Sequence, residues 1–228
     1  VLSGAAAANV TMVATASGDT LLGGSGNDTI DALSADRVVL GSGAATVQVG
    51  TGVLVTGGSG SLYFVGGSAA STVLGGAGSE TVYTGLGGGY FTAGSSGANV
   101  LIATGFAATL VGAAGAYLEG NAGAAVANLL QAGAGNETLA AGLGADTLAG
   151  SAGTDVFSFL TAGANQTYSV TGFHAGDTLF MADQATVTYA LAHQVSTGSA
   201  TTLSLADGSV IGVQGVSAPL TAGAFGHV

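Results

Sequence analysis

The chain has no lysine and a single arginine, Arg37, against 12 acidic residues, for a formal net charge of −11 over 228 residues. So few cations cannot neutralise a phosphate backbone, which argues against nucleic acid as a partner. Cysteine is absent as well. That rules out disulfides and thiolate metal sites, and it suits a secreted protein stabilised without covalent cross-links. No apolar run approaches the roughly 18 residues of a membrane-spanning helix. No signal-peptide pattern opens the chain at Val1, as expected of a processed or excised piece. Charged residues make up 6% and apolar ones 48%, which is far from the signature of disorder. The length suffices for one or two domains with a sizeable interior. Catalytic patterns are missing too. His174, His193 and His227 all lie in the last third of the chain, but no nucleophile-elbow motif precedes them. None of the glycine-rich turns ends in Gly-Lys-Ser/Thr, so a phosphate loop is ruled out. The expectation is a protein that is not an enzyme.

Glycine is abundant instead, with 43 residues. Residues 23–31 read Gly-Gly-Ser-Gly-Asn-Asp-Thr-Ile-Asp, with an acid in sixth place and an apolar residue in eighth. Stepping by nine from Ile30 leads back to Leu21 and Met12 and forward to Val39. Two shorter steps reach Val47 and Val55, and strict steps of nine then give Phe64, Val73, Val82, Phe91 and Val100. Leu110 comes one residue late, and the register blurs at Leu118 and Leu129 before recovering at Leu139, Leu148 and Phe157. Glycine-rich turns alternating with short β-branched or aromatic strands at a fixed period indicate a solenoid. A helix would need apolar residues three and four apart, and each glycine would oppose it by about 1 kcal/mol. Two nonapeptides make one coil of about 18 residues, so residues 5–159 are expected to form roughly eight coils. The eighth residue of each repeat points inward and its two neighbours outward. The expected fold is all-β: a parallel β-roll or β-helix solenoid over 1–159, then a β-rich C-terminal cap over 160–228. Within that cap, Ala206-Asp207-Gly208-Ser209 between two apolar runs reads as a hairpin turn.

The motifs Ser-Gly-Asp-Thr-Leu (17–21), Gly-Gly-Ser-Gly-Asn-Asp-Thr-Ile (23–30), Ala-Gly-Asn-Glu-Thr-Leu (134–139), Gly-Leu-Gly-Ala-Asp-Thr-Leu (142–148) and Gly-Ser-Ala-Gly-Thr-Asp-Val-Phe-Ser-Phe (150–159) carry a resemblance. They resemble the RTX family, the haemolysin-type calcium-binding repeats of bacterial proteins exported by type I secretion. Stretches 170–179, 201–211 and 220–225 are similar to the β-rich cap and export region that follow such repeats. In that family the sixth-position Asp and turn carbonyls bind calcium between neighbouring coils. By position, the resemblance implies calcium ligands at Asp19, Asp28, Glu137, Asp146 and Asp155. Glu137 lies 18 residues before Asp155, and neighbouring strands are about 4.8 Å apart, so this pair should stack closely on one edge. Without a cation such a pair repels or takes up a proton, and hard oxygen donors suit calcium. Asp and Asn also support turns unaided through local hydrogen bonds, and the residues alone leave both roles open. The middle departs from the family. Its sixth positions read Thr46, Leu62, Ser71, Glu80, Gly89, Ala98 or Asn99, and Ala108, so calcium is expected only near the two ends.

One outer sheet face is expected to show Thr20/Leu22, Val38/Leu40, Leu54/Thr56, Thr72/Leu74, Tyr90/Thr92, Thr109/Val111, Asn128/Leu130 and Thr147/Ala149, none of them charged. A solvated sheet face is ordinarily polar, and a contiguous apolar patch marks an interaction surface. The resemblance and these faces together imply an extracellular structural protein, secreted or at the cell surface. Such a protein would fold with calcium and self-assemble into a surface layer, matrix or filament through its outer faces or its solenoid ends. The alternative is a calcium-dependent secretion and folding module of a larger exoenzyme or adhesin. A third reading, an adhesive or ice-binding threonine face, rests on little more than ordinary β propensity.

Overall fold

The computed structural model describes residues 1–4, 7–160 and 163–228; the expected start of the repeats at residue 5 lies outside them. Between glycine-rich turns, segments of three to five residues rich in Thr, Val, Leu, Tyr and Phe form strands, as their extended-backbone preference favours. Successive strands alternate between two sheets. Sheet one runs from Leu2–Ser3 through every second strand to Thr167–Thr171, and sheet two from Thr11–Ala14 to Thr178–Met181. All pairing in these stretches is parallel, one coil upon the next, for example Met12 beside Ile30 and Phe64 beside Val82. The molecule is an all-β parallel solenoid of about ten turns with antiparallel C-terminal strands.

The nonapeptide spacing stops near Phe157, but the stack does not. Thr167–Thr171 and Thr178–Met181 add a further coil in register, with Leu148 beside Val170 and Phe157 beside Leu179. The roll is therefore longer than the eight coils the spacing suggests. Val210–Gln214 then extends sheet one in parallel, Ala200–Ser204 and Gln194–Thr197 follow antiparallel, and Phe225–His227 extends sheet two. The hairpin turn is where the sequence placed it. Leu205 N donates to Ser209 O, Gly208 N donates to Leu205 O, and Gly208 takes φ +86°, a conformation costly for other residues. A helix, Gln184–Ala192, also forms in the cap. Asp183 Oδ1 accepts from Thr186 N at 2.7 Å to cap it, and Val187 and Ala190 are its buried residues.

The interior is a single climbing column. Met12, Leu21, Ile30, Val47, Val55, Phe64, Val73, Val82, Phe91, Leu110, Leu118, Leu139, Leu148 and Phe157 are all buried, as the period requires. At three places the register differs from the expected one. Val38, Leu101 and Leu130 are fully buried, whereas Val39, Val100 and Leu129 are only partly so. In each case two adjacent apolar residues competed for the inward position, and turn length decided between them. The outward pairs there are consequently Arg37/Val39 and Leu129/Gln131 rather than Val38/Leu40 and Asn128/Leu130. One face expected to be uncharged thus carries the chain's arginine. Ala45, not Thr46, is likewise the sixth residue of its repeat, and Thr46 faces out.

The coils approach closely at the turns, and glycine permits it. A Cβ on Gly58 would collide with the carbonyl of Gly41 one coil below. Removing side-chain volume from the column should be costly, because a Leu→Ala change in a packed interior loses about 2–5 kcal/mol. Leu101→Ala is expected to fall in that range by urea unfolding and Val100→Ala well below it. Equal losses would contradict the register described here.

Candidate metal centre

Most turns present the same difficulty. The amide of the sixth repeat residue, at the mouth of a strand, needs an acceptor from the coil above. Two solutions recur. Where the sixth residue of the next coil carries a short polar side chain, its oxygen accepts. Asp28 Oδ1 takes Val10 N at 3.3 Å, Asp36 takes Asp19 N at 3.0 Å, and Ser71 takes Val53 N at 3.3 Å. Asn99 takes Glu80 N at 2.8 Å, Asn128 takes Ala108 N at 3.1 Å, and Asp146 takes Asn128 N at 2.7 Å. Asp155 takes Glu137 N and Asp177 takes Asp155 N, both at 2.9 Å. Where that residue is Ala45, Leu62, Gly89 or Ala108, the preceding carbonyl substitutes, from Ala44, Ser61, Gly88 and Ala107. The central coils therefore need no acid.

The second carboxylate oxygen turns to its own loop. Asp28 Oδ2 accepts from Gly24 N, Asp146 Oδ2 from Gly142 N and Asp155 Oδ2 from Ser151 N, at 2.7–2.8 Å. Glu80 Oε1 accepts from Gly76 N at 2.9 Å in the same way. Such an aspartate ties its own turn to the coil beneath it. Asp146 is fully buried, and burial pushes its carboxyl up despite the amides of Asn128 and Gly142.

The five sequence-derived ligand positions do not form one site. Turns alternate between two edges of the roll, so Asp19 and Asp146 sit on the edge that follows sheet two, and Asp28, Glu137 and Asp155 on the other. Asp19 faces Asp36, which sequence reasoning missed and whose Oδ2 is buried without a hydrogen bond. Asp28 has Val10 below it and Ala45 above, so no second acid stacks on it. Glu137 and Asp155 do come together. Glu137 is buried and its Oε1 has no hydrogen bond, while Ser151 Oγ lies 3.5 Å from its Oε2 and from Gly135 O. Burial, then the charge of Asp155, pushes the Glu137 carboxyl up to about 7.

A buried acceptor without a donor, next to a second carboxylate and turn carbonyls, fits a hard cation. Glu137 and Asp155, with the Gly135 carbonyl, would hold calcium there, and the ion would supply the positive charge that cancels their repulsion. Among the described residues no three acidic or histidine side chains gather, so any site depends on main-chain oxygens for its remaining ligands.

The histidines are dispersed. His193 stacks on Tyr189 at the end of the helix and His227 lies on the last strand. His174 sits one coil beyond Asp155, with Nε2 2.7 Å from Ser151 O and Nδ1 3.2 Å from Ala175 O. Both acceptors are carbonyls, so the doubly protonated ring satisfies both, and these contacts hold its pKa above the ordinary value.

A carboxyl whose folded-state pKa is raised binds a proton more tightly folded than unfolded. Its destabilising ionisation then develops as pH climbs from its unfolded value toward about 7. In chelator, the melting temperature is expected to fall between pH 5 and pH 8. Glu137→Gln should flatten that slope, and calcium should do the same for the native chain. A slope unchanged by Glu137→Gln would place its origin elsewhere.

A scan of family models matches the RTX calcium-binding nonapeptide repeat over residues 13–47, 56–90 and 127–159. The match takes in 56–90, where the acids are mostly gone and the turn geometry remains. No curated protein matches the chain. With these matched segments wound into the two-sheeted stack described above, the chain carries RTX calcium-binding nonapeptide repeats in several copies, folded as a β-roll.

Proposed function

We propose that the protein is a secreted, extracellular structural element that folds with calcium and assembles with copies of itself into a layer, matrix or filament. The observation that carries this reading is the pair of outer sheet faces, with apolar side chains exposed on both. Leu54, Leu74 and Tyr90 project from sheet one and Val13 and Tyr63 from sheet two, each at least 38% exposed. Tyr63 and Tyr83 stack edge to face on sheet two, with ring centroids 5.9 Å apart. Faces of this composition running along a rigid roll suit contact with another surface. Proteins with these repeats are usually secreted, which accords with an acidic chain free of cysteine. Export would deliver an unfolded chain into a calcium-rich medium, where weak sites suffice, since extracellular modules bind at about 10⁻⁴–10⁻³ M. Folding would then complete the faces outside the cell. We assign no catalytic step to the molecule.

Light scattering and electron microscopy of the purified chain, with calcium and with chelator, test this. Ordered sheets or fibres that dissolve on chelation are the expected result. A monomer at high concentration in calcium would refute assembly and favour the export and folding module of a larger exoenzyme or adhesin.

A further inference from the structure

Each outer face carries an unpaired charge opposite in sign to one on the other face, Arg37 on sheet one and Asp31 on sheet two. Of the 12 acids, Asp31 and Glu119 are the two whose side chains lie on an outer sheet face. The others sit at turns, at the buried start of a strand, at the helix cap or in the hairpin. Both belong to sheet two, which among the described residues carries no lysine or arginine. Sheet one's outer face among the described residues carries no carboxylate and one cation, Arg37. Glu119 is already held by the Tyr117 hydroxyl, which donates to its Oε2 at 3.0 Å. Among the described residues, neither Arg37 nor Asp31 makes an ion pair or a side-chain hydrogen bond.

We infer that sheet one of one copy packs on sheet two of the next, unrotated and unshifted along the roll, with Arg37 of one copy on Asp31 of the other. The inference rests on the assembly reading above and specifies its contact. A stack of two like faces would cover Arg37 with no acid opposite, or Asp31 with no cation opposite, and an unpaired buried charge is strongly destabilising. Only unlike faces pair the two. Their placement also matches. Asp31 is near the end of strand Asp28–Ala32 and Arg37 begins strand Arg37–Val39, on either side of one turn. They therefore project from the same coil and the same side of the roll, in opposite directions. A copy displaced along the sheet normal sets its Arg37 over its neighbour's Asp31. The remaining rows meet at equal height because every copy has the same strand spacing of about 4.8 Å. Tyr83 and Tyr90, which flank a single turn in the same fashion, would meet as well. Such a contact is heterologous and does not close, so it propagates as an open stack.

The test uses the full chain in calcium, with far-UV circular dichroism confirming an unchanged fold. Arg37→Glu alone, and Asp31→Arg alone, should each raise the concentration needed for assembly by about tenfold or more. An equimolar mixture of the two variants should recover assembly, because each unlike contact is then again between opposite charges. A wild-type chain that never assembles overturns both this contact and the assembly reading. Wild-type assembly that Arg37→Glu leaves untouched, or a mixture no better than its components, overturns only the contact.

Discussion

A parallel roll needs acceptors for the backbone amides at its turns, and in most coils of this chain the next coil supplies them, with Ala116 N turning instead to Ala113 O of its own turn. The sixth position of the repeat is where the exchange happens. Asp, Asn or Ser there reaches down to the preceding coil, and an Ala, Leu or Gly leaves room for the adjacent carbonyl to do so. The two solutions are interchangeable in geometry and differ in electrostatics. Aspartate brings charge into a nearly closed turn, where burial raises the energy of its ionised form, and the carbonyl does not.

That difference explains the uneven distribution of acid. The central coils are closed by carbonyls and neutral side chains around an apolar column, with Glu80 as their one acid at the sixth position. The first and last coils concentrate carboxylates. Glu137 Oε1 is buried without a hydrogen bond and has the Asp155 carboxylate beside it, whereas Glu80 Oε2, also without a hydrogen bond, has only Leu62 at the paired position. A cation at that edge would complete the C-terminal coils, whereas the central coils offer no such paired carboxylates. One coil further on, His174 has both ring nitrogens against carbonyls, those of Ser151 and Ala175, contacts that favour its protonated form.

Much of this was legible in the sequence because the constraint is local and periodic. The nine-residue recurrence of one apolar residue gave the two sheets and the inward column, and the turn residues 206–209 between two apolar runs gave the hairpin at Gly208. It failed by one residue at Val38, Leu101 and Leu130, where a doublet of equally apolar residues leaves the choice to turn length, which spacing does not encode. The coil containing Val170 and Leu179 went unnoticed because a 13-residue step separates Phe157 from Val170. The helix after Asp183 was missed because Thr and Val in its body favour strands, and only the cap signals it. At the candidate site the Glu137–Asp155 pairing followed from their 18-residue separation. The role of Asp36 did not, since its partner Asp19 lies 17 residues back, on a shortened coil.

The central claim is that coil stacking in the middle of the roll is self-sufficient and that a cation acts only locally. Residue-resolved amide hydrogen exchange, in calcium and after chelation, tests it directly. The amides of Leu62, Val73, Val82 and Phe91 should keep their protection in both conditions, while those of Thr138, Leu139 and Val156 exchange faster without the ion. Loss of protection along the whole roll in one step would contradict the account.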